Sequence, residues 1–216
     1  RAYVVLNRRG MEVRLRSHCP GHQEFAGHAL RHEETITMAD LLTRRDAAGK
    51  LLYRPTVYFC YRPCDASIES LRLFAANEHA IPARTRVVND DIACGRDTLG
   101  VLLLGDHPYT GWWLGSLLST EETRALAPHT SATSLQVGVG IAVAARWAMQ
   151  NPRAGIHFPE TLPTGELLGW GMPWLGQFVS QPVSWMPAPA APAESRWQLA
   201  HFVQDAPLAL MTDQSS

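Results

Sequence analysis

Runs with strand-like alternation fill the chain up to about Leu114, and helical spacing prevails after it. Tyr3 to Leu6 and Val13 to Arg16 flank Asn7-Arg-Arg-Gly10, which predicts a hairpin closed by a four-residue loop. Beyond the loop at Pro20 and Gly21, Phe25 to His32 reads as a strand and Thr37 to Arg45 as a short helix. Pro55 to Tyr61 is β-branched and aromatic, a strand that Pro63 ends. Asp65 follows as an N-cap, and Ile68, Leu71 and Phe74 recur at helical spacing behind it, to about Asn77.

Arg84 to Val88 and Val101 to Leu104 are further strand candidates, and Trp112 and Trp113 open another segment after the Pro108-Tyr109 turn. Ser119-Thr-Glu-Glu122 is a capping box, so a short helix starts there. From about Thr133 to Gln150 the chain is small and apolar on nearly every side and stops at Asn151-Pro152, which predicts a buried helix. Met186 to Ala193 is rich in Pro and Ala, and the last ten residues carry no pattern of a packed element. Strands before helices predict an α+β fold, with one domain over residues 1–185 and an irregular arm over 186–216.

Composition narrows the partners. At 216 residues, 46% hydrophobic and 18% charged, the chain can bury a core, and no apolar run reaches the roughly 20 residues of a membrane span. A net charge of −1 gives no electrostatic footprint for nucleic acid or an anionic membrane, which leaves small molecules or proteins. Every basic residue except Lys50 is an arginine, and Lys50 lies in a turn, which argues against Schiff-base chemistry. Four cysteines, Cys19, Cys60, Cys64 and Cys94, are too sparse for a disulfide scaffold and fit reduced thiols in a cytoplasm. The opening Arg1-Ala-Tyr3, with no initiator Met and no basic leader region, reads as the interior of a longer polypeptide.

Three constellations invite chemistry. Val137-Gly-Val-Gly140 follows an apolar run but lacks the third glycine of a dinucleotide-binding turn, so the glycines read as close-approach points for a helix. His18/His22, His28/His32 and Cys60/Cys64 have metal-like spacings, but Pro20, Gly21 and Pro63 break the first and last pairs, and no metal is expected. His32-Glu33-Glu34 sets an imidazole between a strand and a helix, with His32 and Glu34 on one side by alternation. Its plainest reading is a solvated turn in which Glu34 favours the helix N-terminus. A pocket of His32, Glu34 and Asp97 with Trp112 or Trp113 nearby would instead suit a cationic amine. There the carboxylates pair the ammonium, a ring holds the charge and histidine moves protons.

A longer pattern then emerges: Gly27-His-Ala-Leu-Arg-His-Glu-Glu34, Tyr53-Arg-Pro-Thr56, Tyr61-Arg-Pro-Cys-Asp65, Gly95-Arg-Asp-Thr-Leu-Gly100, Trp112-Trp-Leu-Gly-Ser116, Ala132-Thr-Ser-Leu-Gln136, Asn151-Pro-Arg-Ala-Gly155 and Trp174-Leu-Gly176. In order and spacing these blocks resemble homospermidine synthase, of the saccharopine-dehydrogenase-like group, from about Phe25 to Trp197. The resemblance implies the family's α+β substrate-binding and dimerisation domain, with an antiparallel or mixed sheet and C-terminal helices, in a homodimer. The NAD-binding Rossmann half would lie outside this chain. It implies an NAD-dependent aminobutyl transfer between two putrescines, in which ammonia leaves and no net oxidation occurs. The family's Thr-His-Asn-Glu falls on Arg31 to Glu34, making His32 and Glu34 the catalytic candidates, and the acid of its Gly-x-Asp block falls on Asp97, an ammonium ligand. Arg62 stands where the family has histidine. There it could repel a diamine, or clamp a carboxylate if the substrate were a carboxylated amine, as in saccharopine or carboxynorspermidine dehydrogenases. A truncated, non-catalytic dimerising module is the third possibility.

Overall fold

The computed structural model describes residues 8–204, apart from Asn89, His107 and the side chain of Met11. The predicted strand Tyr3 to Leu6 and the last ten residues therefore lie outside the described residues. Two compact units divide the chain: residues 1–83 with 185–216, and residues 84–184.

In the first unit β1 (Arg14–Cys19) and β2 (Gln23–Leu30) form an antiparallel hairpin, and β5 (Phe59–Tyr61) joins the other side of β2. Alternation sends Leu15 and Ala29 into a small core with Val13, against which Tyr58, Cys60 and Val203 pack. Arg14 and His28, paired in register, take the opposite face. Gly27 is required where β2 and β5 approach: a Cβ there would lie 2.7 Å from the Cys60 sulfur and 2.9 Å from the Tyr61 carbonyl.

The segment expected to be a separate arm belongs to this unit. The Arg16 amide donates to the Phe202 carbonyl at 2.7 Å, the Gln204 amide donates to the Arg14 carbonyl at 2.8 Å, and Leu15 bridges Val203. Phe202 is buried and packs its ring on Tyr58, with centroids 5.5 Å apart. The reason is an unsatisfied strand edge: β1 has a free side, and even irregular backbone that pairs with it satisfies buried amides and carbonyls.

The predicted helix from Thr37 to Arg45 is shifted. It runs as α1 (Glu34–Leu41), and Arg44–Arg45 become β3, paired with β4 (Leu51–Tyr53). Asp46 dictates the turn between them, its carboxylate accepting from the amides of Ala48 and Lys50, both at 2.9 Å. The strand expected from Pro55 shrinks to β5 because Pro55 cannot donate to a ladder. Helix α2 (Asp65–Ala76) starts one residue earlier than predicted, with Cys64 and not Asp65 at its N-cap position.

The second unit is built on an antiparallel sheet of β6 (Arg96–Leu104), β7 (Gly111–Ser119) and β8 (Gln177–Val183), with β7 central. Pro182 is tolerated because β8 is an edge strand. Gly100 and Gly115 face one another across β6 and β7, and Trp113 lies over both; a Cβ on Gly100 would fall 2.4 Å from its ring. The candidate strand Arg84 to Val88 forms no strand: its residues are exposed and none joins a sheet among the described residues, while Arg86 makes an ion pair with Asp91 at 2.9 Å. Ser119 and Glu122 form the expected capping box at the start of α3 (Thr120–Leu126). Helix α4 (Ala132–Gln150) has the predicted length but not the predicted burial. Only Ala132, Gln136 and Val139 are buried, while Val137, Ile141 and Met149 are 55%, 66% and 75% exposed. Its main packing partners in this unit are α5 (Thr164–Gly171) with the turn after it, α3 and β6, too few to surround a helix of 19 residues. Helices mixed with antiparallel sheets make the architecture α+β. Among the described residues no helix is long and apolar enough to cross a membrane.

Candidate active site

In the first unit the chain leaves β2 at Leu30 and turns into α1 at Glu34, with the Thr35 hydroxyl donating to the His32 carbonyl at 2.6 Å. The turn brings the Glu34 carboxylate onto His32 Nδ1. They meet through the turn that opens α1, not through the strand alternation that would set them on one face. Glu33 supplies the helix N-cap, its carbonyl accepting from the amides of Ile36 and Thr37. Phe59, which the β2–β5 register sets opposite Leu30, stacks on the imidazole with centroids 4.6 Å apart and planes 15° from parallel. Sequence reading missed Phe59, since its partner lies 27 positions away and only strand register joins them. At 47% and 41% exposure the His32 and Glu34 side chains are open to a reactant. A carboxylate on Nδ1 orients the ring and leaves Nε2 as the nitrogen that exchanges protons.

In the second unit Asp97 lies near the start of β6, opposite Leu118, and accepts a hydrogen bond from the Thr133 hydroxyl at 2.6 Å. Thr133 opens α4, whose N-cap Ser131 accepts from the Ser134 amide. One turn later Gln136 Nε2 donates to Ser116 Oγ at 2.6 Å within the buried interior, so two polar contacts dock α4 on the sheet beside Asp97. Thr133 was not singled out in the sequence, although the block Ala132-Thr-Ser-Leu-Gln136 contains both of these donors.

The tryptophans do not join this carboxylate. Trp112 pairs with Leu103, six residues along β6 from Asp97, a separation of about 20 Å. Its indole donates to Ser180 Oγ at 2.9 Å and meets Tyr109 edge-on. Trp113 turns to the other face and is 3% exposed, a core residue. A single ammonium cannot touch Asp97 and either ring, because the period of two and the length of the strand set them apart.

Arg62 lies in the loop before α2 and lines a cavity of about 300 Å³ in the first unit, together with Arg14, His28, Asp65, Ile68 and Arg72. Neither His32 nor Glu34 is part of that lining. Nearby, hydrogen bonds from Ser67 and the first amides of α2 hold the exposed Cys64 thiol below its ordinary range, whereas burial pushes Cys60 up to about 11. Among the described residues no group of three or more His, Cys, Asp or Glu side chains is gathered to hold a metal. Nor do the described residues fit a dinucleotide cradle. Gly138 and Gly140 lie inside α4 with open space where a Cβ would be, and the turn before that helix is capped by Ser131 without a glycine.

No protein-family model matches the chain. It is 38% identical over 193 residues to a homospermidine synthase of Blastochloris viridis, covering 88% of this chain and 40% of that protein. It is 34% identical over 193 residues to a homospermidine synthase of Mesorhizobium japonicum, covering 89% of this chain and 40% of that protein. The crystal structure of the homospermidine synthase of Legionella pneumophila in complex with NAD superposes with a TM-score of 0.86 at 31% identity, over 93% of this chain and 45% of that one. The chain thus spans less than half the length of the proteins it matches. It is related to the homospermidine synthases and corresponds to their C-terminal part.

Proposed function

We propose that this chain is the substrate-binding and dimerisation part of a homospermidine synthase, cytoplasmic and homodimeric. The reaction is NAD-dependent aminobutyl transfer, in which two putrescines give one homospermidine and one ammonia. The chemistry NAD supplies when bound is reversible hydride transfer, and residues outside this chain would hold most of it. By itself the chain is inactive. The observation that supports the reading is the His32–Glu34 pair stacked on Phe59, an oriented, accessible imidazole within the matched region.

In this reading His32 exchanges the protons that amine addition and ammonia loss require, with Glu34 fixing its tautomer and offsetting its charge. Asp97, oriented by Thr133, pairs an ammonium of putrescine. Trp112 lies too far along its strand to share that ammonium. Arg62 lines a cavity whose lining includes neither His32 nor Glu34.

The test is a chimera in which the N-terminal portion of the Blastochloris viridis relative precedes this chain. Homospermidine should form from putrescine and NAD with the chimera, and not with either piece alone. Asp97→Asn in the chimera should raise the putrescine KM at least about tenfold, the cost of one charge-assisted contact of about 1.5 kcal/mol. An unchanged KM removes Asp97 from the amine site, and a folded chimera that makes no homospermidine sinks the transferase reading.

A further inference from the structure

We propose that the cavity between the sheet of the first unit and the start of α2 is an anion site that takes a phosphate group. The register of β1 and β2 sets Arg14 beside His28 on the face away from the core, and Arg62, Asp65, Ile68 and Arg72 close the other side. Asp65, Ile68 and Arg72 follow one another at helical spacing, so α2 presents one stripe to the cavity. Three guanidinium groups and the positive end of a 12-residue helix thus surround about 300 Å³, against a single carboxylate in the lining.

The arginines are poorly compensated. Arg62 makes no hydrogen bond or ion pair among the described residues. Among the described residues Arg14 Nε is buried without a hydrogen-bond partner, and its Nη2 reaches the Ala26 carbonyl only at 3.5 Å. Arg72 has one ion pair, to Glu69 at 3.5 Å, with both side chains well exposed. Asp65 forms no ion pair with any of the three among the described residues. Like charges that outnumber their counterions repel one another, and an anion with several oxygens relieves this while accepting forked guanidinium hydrogen bonds. A diamine would be repelled, so the site is distinct from any amine pocket and does not rest on the transferase reading. Phosphate is favoured over carboxylate because three separate donors call for more acceptor oxygens than one carboxylate carries.

Isothermal titration of the 216-residue chain with inorganic phosphate, pyrophosphate and succinate at low salt tests this. Pyrophosphate should bind saturably, more tightly than succinate, and Arg62→Ala and Arg72→Ala should each weaken it about tenfold. Both residues lie at the surface, so the variants should keep the circular dichroism of the parent. If NAD displaces pyrophosphate, the phosphate belongs to a dinucleotide; if it does not, the ligand is a free phosphate compound; the site stands in either case. Absence of saturable binding up to about 10 mM, the weak limit of a small-anion site, overturns the proposal. So does equal affinity for succinate, or affinity unchanged in both variants.

Discussion

The two units build their candidate chemistry in opposite ways. In the first, His32 and Glu34 are two residues apart, and a single turn of backbone brings them together on an exposed edge. In the second, Asp97 meets Thr133 across 36 positions, and only the docking of α4 on the sheet makes the contact. The first arrangement depends on local turn chemistry, the second on long-range packing. Damage to the sheet core should therefore disable the second site and spare the first.

Trp113→Ala is the strongest way to break that comparison. The ring is 3% exposed and roofs Gly100 and Gly115, positions where it leaves no room for a Cβ. Its removal should cost about 3–5 kcal/mol, the usual range for a buried aromatic truncated to alanine. Hydrogen exchange read by mass spectrometry should show protection lost from β6, β7 and β8 and kept in β1 and β2. Equal loss in both units would mean that they unfold as one cooperative body, and the contrast between them would fail.

Ser119→Ala acts on the same unit more gently. The Ser119 hydroxyl accepts from the Glu122 amide at 3.1 Å, and the Glu122 carboxylate accepts from the Ser119 amide at 2.8 Å. Loss of this cap should cost about 1 kcal/mol in urea unfolding of the chain. Retention of the fold with a lowered midpoint is expected. No change at all would show that α3 is held by Thr123, which is fully buried and donates to the Ser119 carbonyl at 2.7 Å.

The same contrast explains what was legible in the sequence. Local signals were read correctly where chemistry is local. The capping box at Ser119 is the case, because it depends on residues within one turn. The pairing of Asp97 with a tryptophan was not legible correctly, since side-chain type suggests a cation site while strand register decides distance. Residues 186–204 are irregular, as their composition suggests, but where they pack was not legible. Their composition is that of a loose arm, but the free side of β1 gives their backbone a partner that no local pattern announces. The exposure of α4 was hidden because an apolar sequence reports what a helix could bury, and not which neighbours are present to bury it.

The smallest expected effect concerns how that returning segment is fastened. The Trp185 indole donates to the Glu24 carboxylate at 2.8 Å, and Arg16 pairs with the same carboxylate at 2.9 Å. Trp185, then Arg16, hold Glu24 below its ordinary range against the opposing pull of partial burial. A carboxyl whose folded pKa is depressed stabilises the fold above its unfolded value of about 4.3, and that contribution fades as pH falls through the lower folded value. Glu24→Gln keeps an acceptor for the indole but removes the charge. At neutral pH the variant should therefore melt at a slightly lower temperature than the parent, and the gap should close on acidification below about pH 4. A gap that persists unchanged into acid would show that Glu24 fastens the segment by shape and neutral hydrogen bonding alone. The contact to Trp185 would then be insensitive to protonation, and the ion pair with Arg16 would contribute nothing, as many exposed pairs do.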